Sequence, residues 1–279
     1  MIPFRSGISG ISLILAVLAA GPAHGEMVKG TFRFGKVRFE PVDAMAYQGT
    51  ISGDKPPVLI VALTSYKIER PLVLAAIDPL DSLIAQTGEH GNVVLILPES
   101  PDRCSVRGFL AESQQSIDLG SSSAKMSVST ATRIAGECAT QKPGKFFDDE
   151  YEFRLSYDVP ITAIPKPATL SAGGGEPGAQ YLGLVKAIQA ADWDVVRLHA
   201  REEELGESKN KPSEPNFFES LSLNYPKSAT VTGGLLKGDR ARLDIRGKNH
   251  DGGNFKGFVS MKKVGDNWRV VDQVLFHAE

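Results

Sequence analysis

Residues 228–276 constrain this chain more than any other stretch. Runs of apolar and polar residues at 229–236, 240–246, 255–263 and 268–276 are separated by Lys237, Gly238 and Asp239, by 249–253, and by Gly265, Asp266 and Asn267. Gly, Asn and Asp reach positive φ at little steric cost, which is what tight reversals between neighbouring strands demand. The expectation is an antiparallel meander.

The rest of the chain is long enough for a second core. At 279 residues, 42% apolar and with a net charge of −2, it is large enough for two modest globular units. No basic tract or zinc-finger-like spacing is present, so the phosphate-binding footprint of a nucleic-acid protein is missing. Arg5 precedes an apolar run at 8–20, and Ala23 and Gly25 stand three and one positions before Glu26, the pattern of an export signal over 1–25. That run is shorter than the roughly 20 residues a spanning helix needs, so no membrane span is expected. Cys104 and Cys138 are expected to form a disulfide in an oxidising compartment.

Between signal and meander, residues 26–164 read as a mainly β, sandwich-like domain. Strands are expected on either side of Gly35, then at 58–63, 92–97, 104–110, 125–137 and 151–159; the unbroken apolar run at 58–63 suits a strand covered on both faces. Asp78 and Pro79 open a helix as N-cap and first residue, and Gly88 stops it. Residues 165–178, crowded with Pro165, Pro167, Gly173, Gly174, Gly175, Pro177 and Gly178, read as a linker. In 179–279, Tyr181, Leu184, Val185 and Ile188 fall at helical spacing. Asp192 or Asp194 caps a second helix ended by Gly206, a polar loop covers 207–214, and a short helix over 217–223 precedes the meander. The second unit is therefore α+β, with helices packed on a curved antiparallel sheet.

Gly233 and Gly234, the alternation Ala241, Leu243, Ile245, the run Gly257, Val259, Met261, Lys262, Lys263, then Asn267, Trp268, Arg269, Val270, together with Ala191, Asp192, Trp193, Asp194, resemble small exported members of the nuclear-transport-factor-two-like superfamily, the cone-shaped α+β fold. The resemblance spans 178–277. Upstream, Ala44 to Tyr47, Ala62, Leu63 and Thr64, Gly136 and Glu137, and Tyr151, Glu152 and Phe153 are similar to the β domain that precedes such modules in uncharacterised two-domain secreted bacterial proteins. The superfamily includes enzymes and ligand binders, so the resemblance implies a pocket between sheet and helices but carries no catalytic residue over.

The expected lining of that pocket is Trp193 from the helix pair and, by strand parity, Leu243, Ile245, Val259, Met261, Trp268 and Val270. Asp272 falls on the same parity as Trp268 and Val270, and it and His199 are the acid–base candidates for an isomerase- or hydrolase-like reaction. The structural alternatives are a carboxylate accepting turn amides and a satisfied helix-edge histidine, and both are favoured. Gly173, Gly175 and Gly178 match a phosphate-binding glycine pattern, but no buried strand immediately precedes them and Pro177 interrupts the turn. No cofactor or metal is expected: His90, His250 and His277 are isolated, and the acidic residues Asp148, Asp149, Glu150 and Glu152 lack the spacing of a calcium loop. Arg240, Arg242 and Arg246 form a row on the opposite sheet face, at steps of about 7 Å, able to meet an anionic partner. The expected task is non-catalytic binding of a small apolar ligand or an envelope protein, with catalysis, or homodimerisation through the outer sheet face, as alternatives.

Overall fold

A computed structural model describes residues 26–50, 56–89, 91–111, 115–205 and 217–278. The expected export signal, His90, Gly206 and the loop 207–214 lie outside these residues.

The first part begins with β1 (Met27–Phe34) and β2 (Val37–Phe39), a hairpin reversing at Gly35, whose φ of 53° is left-handed. Then come β3 (Asp43–Gly49), β4 (Val58–Thr64), α1 (Arg70–Ala75), α2 (Pro79–Ala85), β5 (Asn92–Ser100), β6 (Arg103–Leu110), β7 (Gln115–Ser129), β8 (Arg133–Ala139), β9 (Gly144–Phe146) and β10 (Asp149–Thr162). The α2 start is as expected: the Asp78 carboxylate accepts from the Leu80 amide at 2.9 Å, with Pro79 at the first helical position. The preceding helix α1 was not foreseen.

These strands make one ten-stranded sheet, where two facing sheets were expected. The order is β2-β1-β10-β3-β4-β5-β6-β7-β8, with β9 on β10, and β8 pairs back onto β10, so the path returns on itself. The length of β10 is the reason. Its residues 151–158 pair with β1, Ile161 and Thr162 run parallel to Ala46 and Tyr47 of β3, and 154–160 pair with β8. The stretch 125–137 is also two strands, not one. The Thr130 hydroxyl accepts from the amides of Thr132 and Arg133 and builds a turn without Gly or Pro.

Alternation along these strands sorts two apolar layers. Phe153, Leu155, Tyr157 and Val159 of β10 point into the ring with Phe32, Val61, Leu63, Val94, Ile96 and Val106, and Phe32 stacks on Phe153 at 5.8 Å. The Cys104–Cys138 disulfide lies in that interior and joins β6 to β8 across β7, with Cα atoms 6.3 Å apart. On the outside, Met45, Tyr47, Ile60, Ala62, Val93 and Leu95 are covered by Ile68, Val73 of α1 and Leu83 of α2. This accounts for the unbroken apolar run of β4. Asp43 ties the helical cover to the sheet: its buried carboxylate accepts from the amides of Ala44 (2.8 Å) and Ile68 (3.0 Å) and from both Arg70 terminal nitrogens (3.2 and 3.0 Å).

The second part is β11 (Ala168–Leu170), α3 (Gly175–Gln189), α4 (Trp193–His199), α5 (Glu202–Leu205), α6 (Phe217–Asn224), β12 (Ser228–Lys237), β13 (Arg240–Lys248), β14 (Asn254–Val264) and β15 (Asn267–His277). The stretch read as a linker is largely structured. β11 pairs with β12 as the edge of a five-stranded antiparallel sheet ordered β11-β12-β13-β14-β15, and α3 already starts at Gly175. The glycines make the corner: Gly174 has a φ of 66°, and a Cβ there would lie 2.8 Å from Val231 and 2.9 Å from Leu243. The expected meander is present, with registers running from Ser228 opposite Lys248 to Val264 opposite Asn267.

Candidate functional site

The face of this sheet turned toward the helices is a filled core. Leu243, Ile245, Val259, Met261, Trp268 and Val270, expected to line a pocket, are all buried against Tyr181, Leu184, Val185 and Ile188 of α3, Val196 of α4 and Leu221 of α6. Trp193, at the start of α4, packs on the rim of this cluster, edge-on to Phe217 at 5.7 Å. Interior side chains of this size stabilise by about 1.5–3 kcal/mol each when removed from water, so filling the space is the stable outcome.

The two acid–base candidates are placed apart. His199 is buried at the end of α4, and its Nδ1–H donates to the Trp268 carbonyl at 2.8 Å, on the edge strand β15. Asp272 sits on the other face, which corrects the parity reading. Ser260 pairs with Asp272, but the next residue, Met261, pairs with Val270, leaving Val271 as an extra residue in β15. That bulge reverses the alternation. Beyond it Gln273, which accepts from the Tyr181 hydroxyl at 2.7 Å, and Leu275 face the helices, while Asp272 and Phe276 are exposed.

The same face supplies one wall of a cleft whose other wall is the α1–α2 pair of the first part. The space is about 540 Å³. Leu72, Ala76, Ile77, Ala85, Phe258 and Val271 give it apolar surface; Asp78 and Asp81 stand on the α2 side, and Arg240, Arg242, Ser260 and Asp272 on the sheet. Arg242, Ser260 and Asp272 are in register across β13, β14 and β15, and the Arg242 guanidinium lies 4.0 Å above the Phe258 ring. The two walls are joined by Lys237, whose Nζ donates to the Ala76 carbonyl at 2.7 Å, at the C-terminal end of α1. Burial lowers the Lys237 pKa from its ordinary value.

Charge in this cleft is unevenly compensated. Burial raises the Asp81 carboxyl above the ordinary range, Asp78 and Asp272 push it further, and Arg242 opposes them. The buried Tyr47 phenol beneath α2 is raised by its burial and then by Asp78 and Asp81. Among the described residues, Asp78, Asp81, Asp272, Arg240 and Arg242 make no ion pair within 4.0 Å, and the buried Arg240 Nε has no hydrogen-bond partner. The third arginine of the expected row, Arg246, lies outside the cleft, beside Lys256 and Phe276 in a shallower depression. The sequence reading found the arginines by their strand parity. It missed Asp78 and Asp81 as site residues, because their helix-start signal explains them locally.

Gly173, Gly175 and Gly178 serve the turn into α3 against Val231 and are not preceded by a buried strand of a nucleotide-binding unit. Among the described residues, no group of His, Cys, Asp and Glu is arranged to hold a metal ion, and no helix is long and apolar enough to cross a membrane. No family model, curated protein or solved structure matches this chain.

Proposed function

We propose that this chain is an exported, non-catalytic binding protein whose ligand site is the cleft between the α1–α2 pair and the outer face of the second sheet. The observation that carries the reading is the cleft itself. Its volume lies within the roughly 300–1,000 Å³ of small-molecule sites, and it combines apolar walls with a few convergent charges at the junction of two structural units. The disulfide suggests an oxidising compartment, which supports the export reading. Helices α3 to α6 before the strand meander support the cone-shaped α+β reading, with the binding surface on the face away from the helices. His199 holds the Trp268 carbonyl on the helix side of the sheet while Asp272 lies on the other face, so the proposed cleft does not depend on their acting together.

Native mass spectrometry of the mature protein, purified from its own source without denaturant, tests this. The expected result is a small-molecule adduct that denaturation releases and that Arg242→Ala removes. A bare protein mass, or an adduct indifferent to Arg242→Ala and Asp81→Asn, refutes the cleft as the site. The exposed side chain of Phe276, with Arg246 and Lys256 beside it, favours a second reading in which this part of the outer face pairs two copies of the chain. Light scattering that returns a monomer mass up to high concentration excludes it.

A further inference from the structure

The chemistry of the cleft walls narrows the ligand class, given that the cleft is the binding site. A purely anionic ligand would meet Arg240 and Arg242 but also stand among Asp78, Asp81 and Asp272. A purely cationic one would meet the three carboxylates but face the two guanidinium groups. Neither neutralises both walls. The carboxylates are not gathered into a metal-binding group, so the cation they suit is one with dispersed donors, such as an ammonium with three N–H bonds.

We propose that the cleft takes a dipolar small molecule, an ω-amino acid or a compound of like chemistry, with its carboxylate on Arg240 and Arg242 and its ammonium among Asp78, Asp81 and Asp272. Three observations support the assignment. First, the charges of opposite sign face one another without closing into ion pairs among the described residues, so a ligand does not have to break existing pairs. Second, Arg240 and Arg242 stand two residues apart on β13 and both line the cleft, a spacing from which two guanidinium groups can converge on one carboxylate. Third, Arg242 and Asp272 lie in one row two strands apart, with Ser260 between them, a backbone separation of about 10 Å. The Arg242 guanidinium lies over Phe258 and not over Ser260, which keeps it apart from Asp272, and a molecule whose charges are separated by methylene groups bridges the two. Those methylenes would lie against Phe258 and Val271.

Calorimetric titration of the full mature protein with 4-aminobutyrate, 6-aminohexanoate and 8-aminooctanoate, alongside hexanoate and hexylamine, separates the possibilities. The expected result is that one of the ω-amino acids binds at least tenfold more tightly than either singly charged probe. Arg242→Ala should then reduce its affinity at least tenfold while leaving hexylamine no weaker. Asp272→Asn, an exposed position whose change leaves the core untouched, should weaken the ω-amino acid and leave hexanoate no weaker; Asp81→Asn provides the same comparison from the opposite wall. Hexanoate or hexylamine binding as tightly as the best ω-amino acid overturns the dipolar assignment while leaving the cleft as a site. Absence of binding by all three ω-amino acids also overturns it, and an adduct in native mass spectrometry that Arg242→Ala removes then shows that the cleft binds a ligand of another class.

Discussion

Reducing the Cys104–Cys138 disulfide should lower stability by an amount the topology sets. The two cysteines are 34 residues apart and the bond closes a loop that contains β7 and the turn to β8. In the chain-entropy treatment a closed loop of this size loses about 12.7 cal/mol/K in the unfolded state, which is about 3.8 kcal/mol at 25 °C. Both sulfurs already sit in a packed interior, so breaking the bond leaves their volume in place and the effect falls mainly on the unfolded chain. With a urea dependence of about 2–3 kcal/mol/M, the unfolding midpoint of the first part should fall by about 1.3–1.9 M on reduction. The assay is urea unfolding followed by circular dichroism, with and without reductant, on wild type and on the double variant Cys104→Ala, Cys138→Ala. The variant should show no response to reductant. A wild-type shift below about 0.4 M, equivalent to less than about 1 kcal/mol, would refute the argument that the bond acts by closing this loop.

Three further outcomes are expected. Burial alone would raise the Asp43 carboxyl, but hydrogen bonds from Arg70, Ile68 and Ala44 outweigh it and hold its pKa below the ordinary value. Its stabilisation is therefore present above the unfolded value of about 3.9 and lost as pH falls through the lower folded value; Asp43→Asn should cost about 2–3 kcal/mol at pH 7 and flatten the acid limb of a stability profile, and an unchanged limb would contradict this. His199→Ala should cost about 1–3 kcal/mol by leaving the Trp268 carbonyl unpartnered, with ligand affinity at the cleft unchanged; lost affinity at full stability would show that His199 has a role beyond structure. Lys237→Met removes the donor to Ala76 and should raise amide exchange at the end of α1 with a stability loss of about 1 kcal/mol, and protected α1 amides would show that the link is dispensable.

What could be read in advance was local. Asp78 followed by Pro79 announces α2 because both act within one turn, and Gly238, Gly252 and Gly265 announce the turns of the meander because each needs only its own positive φ, which the neighbouring Asn and Asp residues do not adopt. Long-range pairing leaves no such mark. The closure of the first sheet depends on β10 meeting β8 on one side and β1 and β3 on the other, and the contacts with β1 and β3 are specified by residues far away in sequence. The extra residue at Val271 is hidden for a related reason: Val270, Val271, Asp272, Gln273 and Val274 carry no Gly or Pro, so parity continues past the point where the strand bulges. The Thr130 turn escaped notice because its reversal comes from a side-chain hydroxyl. The cleft was least legible of all, since its walls are joined by Lys237 and Ala76, residues 161 positions apart.

The bulge in β15 divides the strand between two faces of the sheet. Before it, Trp268 and Val270 serve the interior; just after it, Asp272 serves the cleft, and Arg242 and Ser260 do so from strands whose alternate residues, Leu243, Val259 and Met261, are interior. With the cleft as the proposed site, recognition and folding use neighbouring positions on the same strands but opposite faces of the sheet. Substitutions at Arg242, Ser260 or Asp272 can change which molecules are admitted without disturbing the packing beneath.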